Sequence, residues 1–283
     1  MKNWVKWCEN SKKSRKKEVL AVKTYAIANR KGGCGKSATA QALANWLYKQ
    51  GKRVLIVDVD NQANTSYTMG YDTEADTDMA TMYHVLAGEV PMKDVVRPVI
   101  RNGVDDDVFW SIAPASENLA AIDMRMVPVK TTLADALTSV AKQFDYCIID
   151  TPLSKGVLTM GALIAADEVI IPCVAEIYSV QGAQAIAKLL PTAKQYNPRL
   201  KVAGLLITRH SDRLSIAQTV ADMIKQTATM IGTKVFNTRI REGVAVREAN
   251  AYRMGLFDYD TRCRSVASVD YVQFFDELLK GDK

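Results

Sequence analysis

Eight consecutive residues carry the strongest chemical signal in this 283-residue sequence: Arg30-Lys31-Gly32-Gly33-Cys34-Gly35-Lys36-Ser37. Glycines let a backbone wrap its N–H groups around phosphate oxygens, and a helix N-terminus behind them adds partial positive charge. Lys36 would reach β- and γ-phosphates, and the Ser37 hydroxyl would ligate Mg²⁺. A plain glycine-rich turn accounts for the glycines but not for a Lys-Ser pair placed after an apolar strand. Two acid-bearing segments belong to the same chemistry. Val57-Asp58-Val59-Asp60 ends an apolar run with two carboxylates. Strand alternation puts Asp58 and Asp60 on one side, and acids facing a phosphate site need a metal or water to offset their burial. Tyr146-Cys147-Ile148-Ile149-Asp150 ends in an acid that would hold Mg²⁺ through a water.

These segments need a scaffold that brings strand ends together. From Thr24 onward, apolar strands alternate with helices, which predicts βαβ units, a mainly parallel twisted sheet and a single α/β domain over 24–283. Strands are expected at Tyr25–Asn29, Arg53–Val59, Tyr146–Ile149, Glu168–Cys173 and Val202–Thr208. Val54-Leu55-Ile56-Val57 is continuously apolar, as in strands covered on both faces. A helix over Ser37–Gln50 shows apolar positions at Ala40, Leu43, Ala44 and Leu47 and stops at Gly51. Further helices are expected near 78–87, 130–143, 156–165, 180–195, 213–230 and 266–280. The stretch 88–128, with Pro91, Pro98, Pro114 and Pro128, reads as irregular. Residues 1–23 read as a basic arm, with a short helix around Trp4–Cys8.

The order Lys31-Gly32-Gly33-x-Gly35-Lys36-Ser37 resembles the deviant Walker A loop of the ParA/MinD superfamily of P-loop ATPases. Segment Asp58–Asn64 resembles that family's switch I, and Thr151–Ser154 its switch II. Ala165–Gly182, Leu206–Arg213 and Val235–Ala249 follow the family order, so the likeness runs from about Thr24 to Leu279. A ParA-type partition ATPase is the reading this implies. By that resemblance ATP and Mg²⁺ are the cofactors, and Lys31 reaches the nucleotide of a second subunit. Lys31, Lys36 and Asp60 are the catalytic set, with Asp60 placing the attacking water. Ser37, Asp58 and Asp150 serve the metal, and Lys31 through Ala38 the phosphates. Thr208, Arg209, Ile240 and Arg241 lie by the adenine. The implied activity is weak ATP hydrolysis that a ParB-like centromere-binding protein stimulates. By the same resemblance, ATP would induce a sandwich homodimer that coats DNA nonspecifically in the cytoplasm, on the nucleoid. The sequence departs from the family at Asn61 and Ala63, where Pro and Gly are usual, at Leu153 (usually a second Pro), and at Arg241 and Glu242, where Pro and Arg are usual. Those changes bear on the switch loop and on the DNA surface.

Charge distribution fits a polyanionic partner. Residues 1–23 hold eight Lys or Arg against Glu9 and Glu18; 24–150 hold 12 basic and 16 acidic residues, and 151–283 hold 17 and 13. Candidate DNA contacts are Lys12, Lys13, Arg15, Lys16 and Lys17 in the arm, and Arg213, Arg239, Arg247, Arg262 and Arg264 in the body. Cations on one face give sequence-independent, salt-sensitive binding. A MinD-like membrane-associated ATPase is the alternative, but Ser268–Lys283 carries four acids against two lysines and makes a poor anionic-membrane anchor. No apolar run approaches the roughly 18 residues of a transmembrane helix, and the basic N-terminus lacks an apolar core and cleavage site. Five scattered cysteines, none in a C-x-x-C pair, argue against a disulfide framework, a zinc site or an iron–sulfur cluster. Cys34 reads as filler, Cys147 and Cys173 as buried packing, and His84 as structural; His210 lies near the expected base site.

Overall fold

Runs such as Val54-Leu55-Ile56-Val57 offer water no polar face, so the strands they form must be covered on both sides. In the computed structural model they are. It describes residues 22–100, 109–127, 129–174, 176–210 and 217–280; the expected arm helix at Trp4–Cys8 lies outside them. The strands are β1 (Lys23–Ile27), β2 (Val54–Asp58), β3 (Arg97–Pro98), β4 (Trp110–Ala113), β5 (Tyr146–Asp150), β6 (Glu168–Val174), β7 (Lys201–His210) and β8 (Val235–Arg241). They form one sheet in the order β3-β4-β2-β5-β1-β6-β7-β8, parallel except for the short edge strand β3 against β4.

The helices are α1 (Lys36–Lys49), α2 (Asn64–Thr68), α3 (Met82–Leu86), α4 (Leu119–Asp123), α5 (Leu133–Val140), α6 (Val157–Ala165), α7 (Ile177–Ala187), α8 (Leu190–Tyr196), α9 (Ala217–Ile231), α10 (Val244–Ala251), α11 (Leu256–Tyr259) and α12 (Val266–Leu279). Alternation along the strands splits the core in two. Leu55, Val57, Cys147 and Ile149 pack with Leu86, Leu133, Leu163, Ile186 and Ile224 on one face. Tyr25, Ile27, Val54, Ile56 and Ile148 pack with Leu43, Leu47, Phe274 and Phe275 on the other. β1 lies between β5 and β6, where the strand order reverses and the carboxyl ends open a crevice.

Several expectations are corrected. The helix predicted over 180–195 is two helices, because Pro191 in the first turn of α8 cannot donate to the turn before it. The helix near 78–87 is confined to α3, and that near 130–143 ends as α5 followed by a 3₁₀ turn over Ala141–Gln143. The stretch 88–128 is not simply irregular: it supplies β3, β4 and α4. Strand β1 begins at Lys23, inside the expected arm.

Phe275 anchors the face beneath α1, with its ring 5.4 Å from Trp46, 5.6 Å from Tyr271 and 5.3 Å from Phe274 between centroids. Phe275→Ala is expected to cost about 3–5 kcal/mol of stability, read as a lowered urea midpoint with an unchanged slope. An effect below 1 kcal/mol would mean that this face does not bear on folding.

Candidate functional site

The loop between β1 and α1 turns on two glycines in the left-handed region, Gly33 (φ 71°) and Gly35 (φ 85°). A side chain there would strain the backbone. Gly35 caps α1 without any side-chain bond, which leaves the first-turn N–H groups facing the crevice. Two neighbours hold the loop in shape. Thr208 at the end of β7 donates its hydroxyl to the Cys34 carbonyl at 2.8 Å. Asn29 accepts from the Lys31 N–H at 3.0 Å and donates to the Pro172 carbonyl at 2.6 Å. Helix α7 can approach only because Gly182 lacks a Cβ, which would overlap Asn29 Oδ1. Cys34 is fully buried and burial raises its thiol, so it packs, as the sequence suggested.

In front of the loop, the parallel register sets Asp58 of β2 beside Asp150 of β5. Both are fully buried. Burial raises both carboxyls, and Asp150 raises Asp58 further by like-charge repulsion. Asp150 is pushed up to about 6, with the Ser37 and Thr65 hydroxyls and the Lys36 charge pulling back. Asp150 Oδ2 accepts the Thr65 hydroxyl at 2.7 Å, while Oδ1 meets no hydrogen-bond partner among the described residues. A buried carboxylate oxygen left this way, beside Lys36 and Ser37, fits a divalent cation and a phosphate.

Asp58 differs. Its oxygens take the Asp60 N–H at 3.0 Å, the Ser66 N–H at 2.9 Å and the Ser66 hydroxyl at 2.8 Å. Both oxygens therefore serve the shape of the switch segment. Strand β2 ends at Asp58, and the chain beyond it turns around that carboxylate. Asp60 still faces the site: it is 8% exposed, burial raises it, Lys36 draws it down and Asp123 pushes it up. Its Oδ1 accepts from the Gln62 N–H at 3.1 Å. Ala63, where the resemblance expects glycine, holds the glycine conformation at φ 49°. Lys31 stands at the loop's mouth, its ammonium 3.8 Å from Glu176 with both groups partly in water.

The base-side residues are placed unevenly. Arg209 reaches the Gly33 carbonyl at 3.5 Å and pairs with Glu242 at 3.0 Å. Ile240 turns its side chain into the core, so it is not brought to the loop as a side chain. Arg241 is held to the buried Asp270 by two guanidinium bonds, at 2.9 and 2.6 Å. Ala38 lies in the first turn of α1. Of the expected DNA contacts, Arg239, Arg247, Arg262 and Arg264 are exposed. Lys12, Lys13, Arg15, Lys16, Lys17 and Arg213 lie outside the described residues. Sequence reading missed Thr65 and Ser66, which hold the two acids from α2. It also missed Asp123, whose carboxylate accepts the Leu158 N–H at 3.2 Å at the start of α6. Their signal is weak, since each helix is only five residues long.

Comparison with known proteins places this geometry. The AAA domain family matches residues 22–202. The chromosome-partitioning ATPase Soj of Thermus thermophilus is 36% identical, covering 82% of this chain and 86% of its own. The chromosome partitioning protein ParA of Myxococcus xanthus is 31% identical, covering 90% and 87%. Among solved structures, cobyrinic acid a,c-diamide synthase from Mycobacterium smegmatis, with a bound ATP analogue and magnesium, superposes with a TM-score of 0.76 at 27% identity, over 93% of this chain and 96% of its own.

The raised carboxyls have a pH consequence. Asp150, pushed up to about 6, keeps a proton in the folded chain that the unfolded chain has already released, so its contribution to stability falls as pH rises from about 4 through about 6, and the upward shifts of Asp58 and Asp60 act in the same direction. Asp145, Asp260 and Glu277 are lowered and contribute fully above the ordinary carboxylate range, so they do not offset this fall. Asp150→Asn is expected to flatten the fall and stabilise the nucleotide-free protein at pH 7.5 by about 1–3 kcal/mol. Urea melts at pH 5 and 7.5 measure it, and a less stable variant at pH 7.5 would contradict it.

Proposed function

The chain belongs to the ParA/MinD superfamily of P-loop ATPases, and from that premise we propose that it is an ATP-driven DNA-partition switch. The orphaned Asp150 Oδ1 beside Lys36 and Ser37 carries the catalytic part of this reading. Ser37 and, through a water, Asp150 would hold Mg²⁺, which would supply positive charge to the phosphates. The N–H groups of Gly32 to Ala38 bind phosphate oxygens, and Lys36 neutralises charge that builds on them during transfer. Asp60 orients the attacking water and accepts its proton. Thr208 and Arg209 flank the base, with the backbone at Ile240–Arg241 rather than their side chains beside it.

Lys31 supports the dimeric half of the reading. Its ammonium is partly in water, 3.8 Å from the half-exposed Glu176. A second copy bringing phosphates to that mouth would gain the cation, and two copies would close two sites. The exposed Arg239, Arg247, Arg262 and Arg264, with the arm, give the dimer cations for DNA phosphates in any sequence. A ParB-like partner would then trigger hydrolysis and release.

Three measurements test this. Lys36→Ala is expected to weaken ATP affinity about a hundredfold or more, as loss of one buried charged contact does; undiminished affinity defeats the site assignment. Asp60→Ala is expected to bind ATP yet lose turnover by about a hundredfold or more, and normal turnover refutes its role. DNA titrations in ATP, ADP and no nucleotide, at two salt concentrations, are expected to show tight binding in ATP alone and a steep salt dependence. Equal binding in all three states removes the switch.

A further inference from the structure

Arg253 occupies a position where its own backbone would be better served by glycine. Helix α10 ends with the Met254 N–H on the Ala249 carbonyl at 2.9 Å and the Arg253 N–H on the Asn250 carbonyl at 3.0 Å. That pattern puts Arg253 in the left-handed region, at φ 52°, the place glycine normally takes after a helix. A side chain kept there against its backbone preference points to a contact that needs it. The contact is on the switch segment. The guanidinium lies 3.8 Å above the centre of the Tyr67 ring, and its Nη2 is 3.6 Å from Asp72 Oδ2.

Tyr67 belongs to α2, whose neighbouring residues hold the site's acids. Thr65 donates to Asp150 at 2.7 Å, and Ser66 donates twice to Asp58. Three successive residues on a helix point about 100° apart, so α2 is held from three sides: by Asp150 and Gln41 of α1 at Thr65, by Asp58 at Ser66, and by Arg253 at Tyr67. The other end of this bracket is firm. Asn45 of α1 accepts the Phe257 N–H at 2.8 Å and donates to Asp258 at 2.9 Å, and Lys49 pairs with Asp258. The α10–α11 corner is thereby bolted to the helix behind the phosphate loop, and Arg253 reaches from it across to α2.

We propose that Arg253 is a positioning residue for hydrolysis: stacked on Tyr67 and paired with Asp72, it fixes α2 relative to α1, and so fixes the acids Asp58, Asp60 and Asp150 relative to the phosphate loop. This rests on the ATPase reading above. Arg253 touches no reacting atom. It acts through Tyr67, Thr65 and Ser66, so it governs the rate of the step rather than capture of the nucleotide.

The test uses the full chain and single-turnover ATP hydrolysis, with mant-ATP affinity and thermal melting alongside. Arg253→Gly removes the side chain while giving the backbone its preferred residue, so the melting temperature is expected to hold or rise. Turnover is expected to fall about tenfold, as displacement of catalytic groups by a fraction of an ångström does, with nucleotide affinity within about twofold of wild type. Tyr67→Phe keeps the ring and is expected to keep the rate. Tyr67→Leu is expected to lose rate like Arg253→Gly, and the double variant to be no slower than either single one. Wild-type turnover in Arg253→Gly, an equal loss of affinity and rate, or additive losses in the double variant overturns the proposal. A wild-type protein that binds ATP without hydrolysing it sinks the ATPase reading, and the proposal falls with it; that result is recognisable before any variant is compared.

Discussion

Two carboxyls that the sheet register forces side by side, Asp58 and Asp150, set the terms for the rest of the structure. Neither reaches water, so each must be matched by donors or cations already in place. The match is unequal in a way that divides their work. Asp58 is satisfied by three protein donors and shapes the switch segment. Asp150 is left one oxygen short, and that shortfall is next to the only groups that make sense of it, a buried lysine and a hydroxyl at a helix N-terminus. The phosphate loop, α2 and the strand order serve this placement. Parallel strands put both acids at the carboxyl ends, and the order reversal at β1 puts the loop between them and β6.

What the sequence disclosed follows the physics that fixes local structure. Continuous apolar strands were legible because burial on two faces leaves no ambiguity of period, and the phosphate loop because its glycines and lysine serve a single chemistry. β4 was not, since Trp110-Ser111-Ile112-Ala113 is brief, has a serine at its centre and follows three consecutive aspartates. Helices α10 and α11 were missed for a similar reason: α10 buries only Ala245 and Ala249, which leaves almost no apolar stripe. The turn between Asp58 and Asp60 was not legible, because alternation assumes the strand continues. Its end is decided by the Asp60 N–H bonding back to Asp58, which no periodicity contains.

The departures from the family pattern resolve into substitute contacts. Ala63 accepts a glycine conformation, at a cost of about 1 kcal/mol, which stiffens a loop that a glycine would leave freer. Arg241, in place of proline, recruits the buried Asp270. Glu242, in place of arginine, recruits Arg209 above the Gly33 carbonyl. Both arginines of this corner are thus spent on acids within the chain. Arg239, Arg247, Arg262 and Arg264 remain exposed.

The same reasoning decides how firmly Lys31 is held. Its partner Glu176 is 3.8 Å away and half exposed, and a surface pair of that kind contributes about 0–1 kcal/mol. Phosphate oxygens in a cradle shielded from water by a second protein surface attract an ammonium several times more strongly, because water no longer screens them. Glu176 precedes α7, the helix that Gly182 lets lie against the loop. Lys31 is thus held loosely, by a contact that a stronger anion would displace.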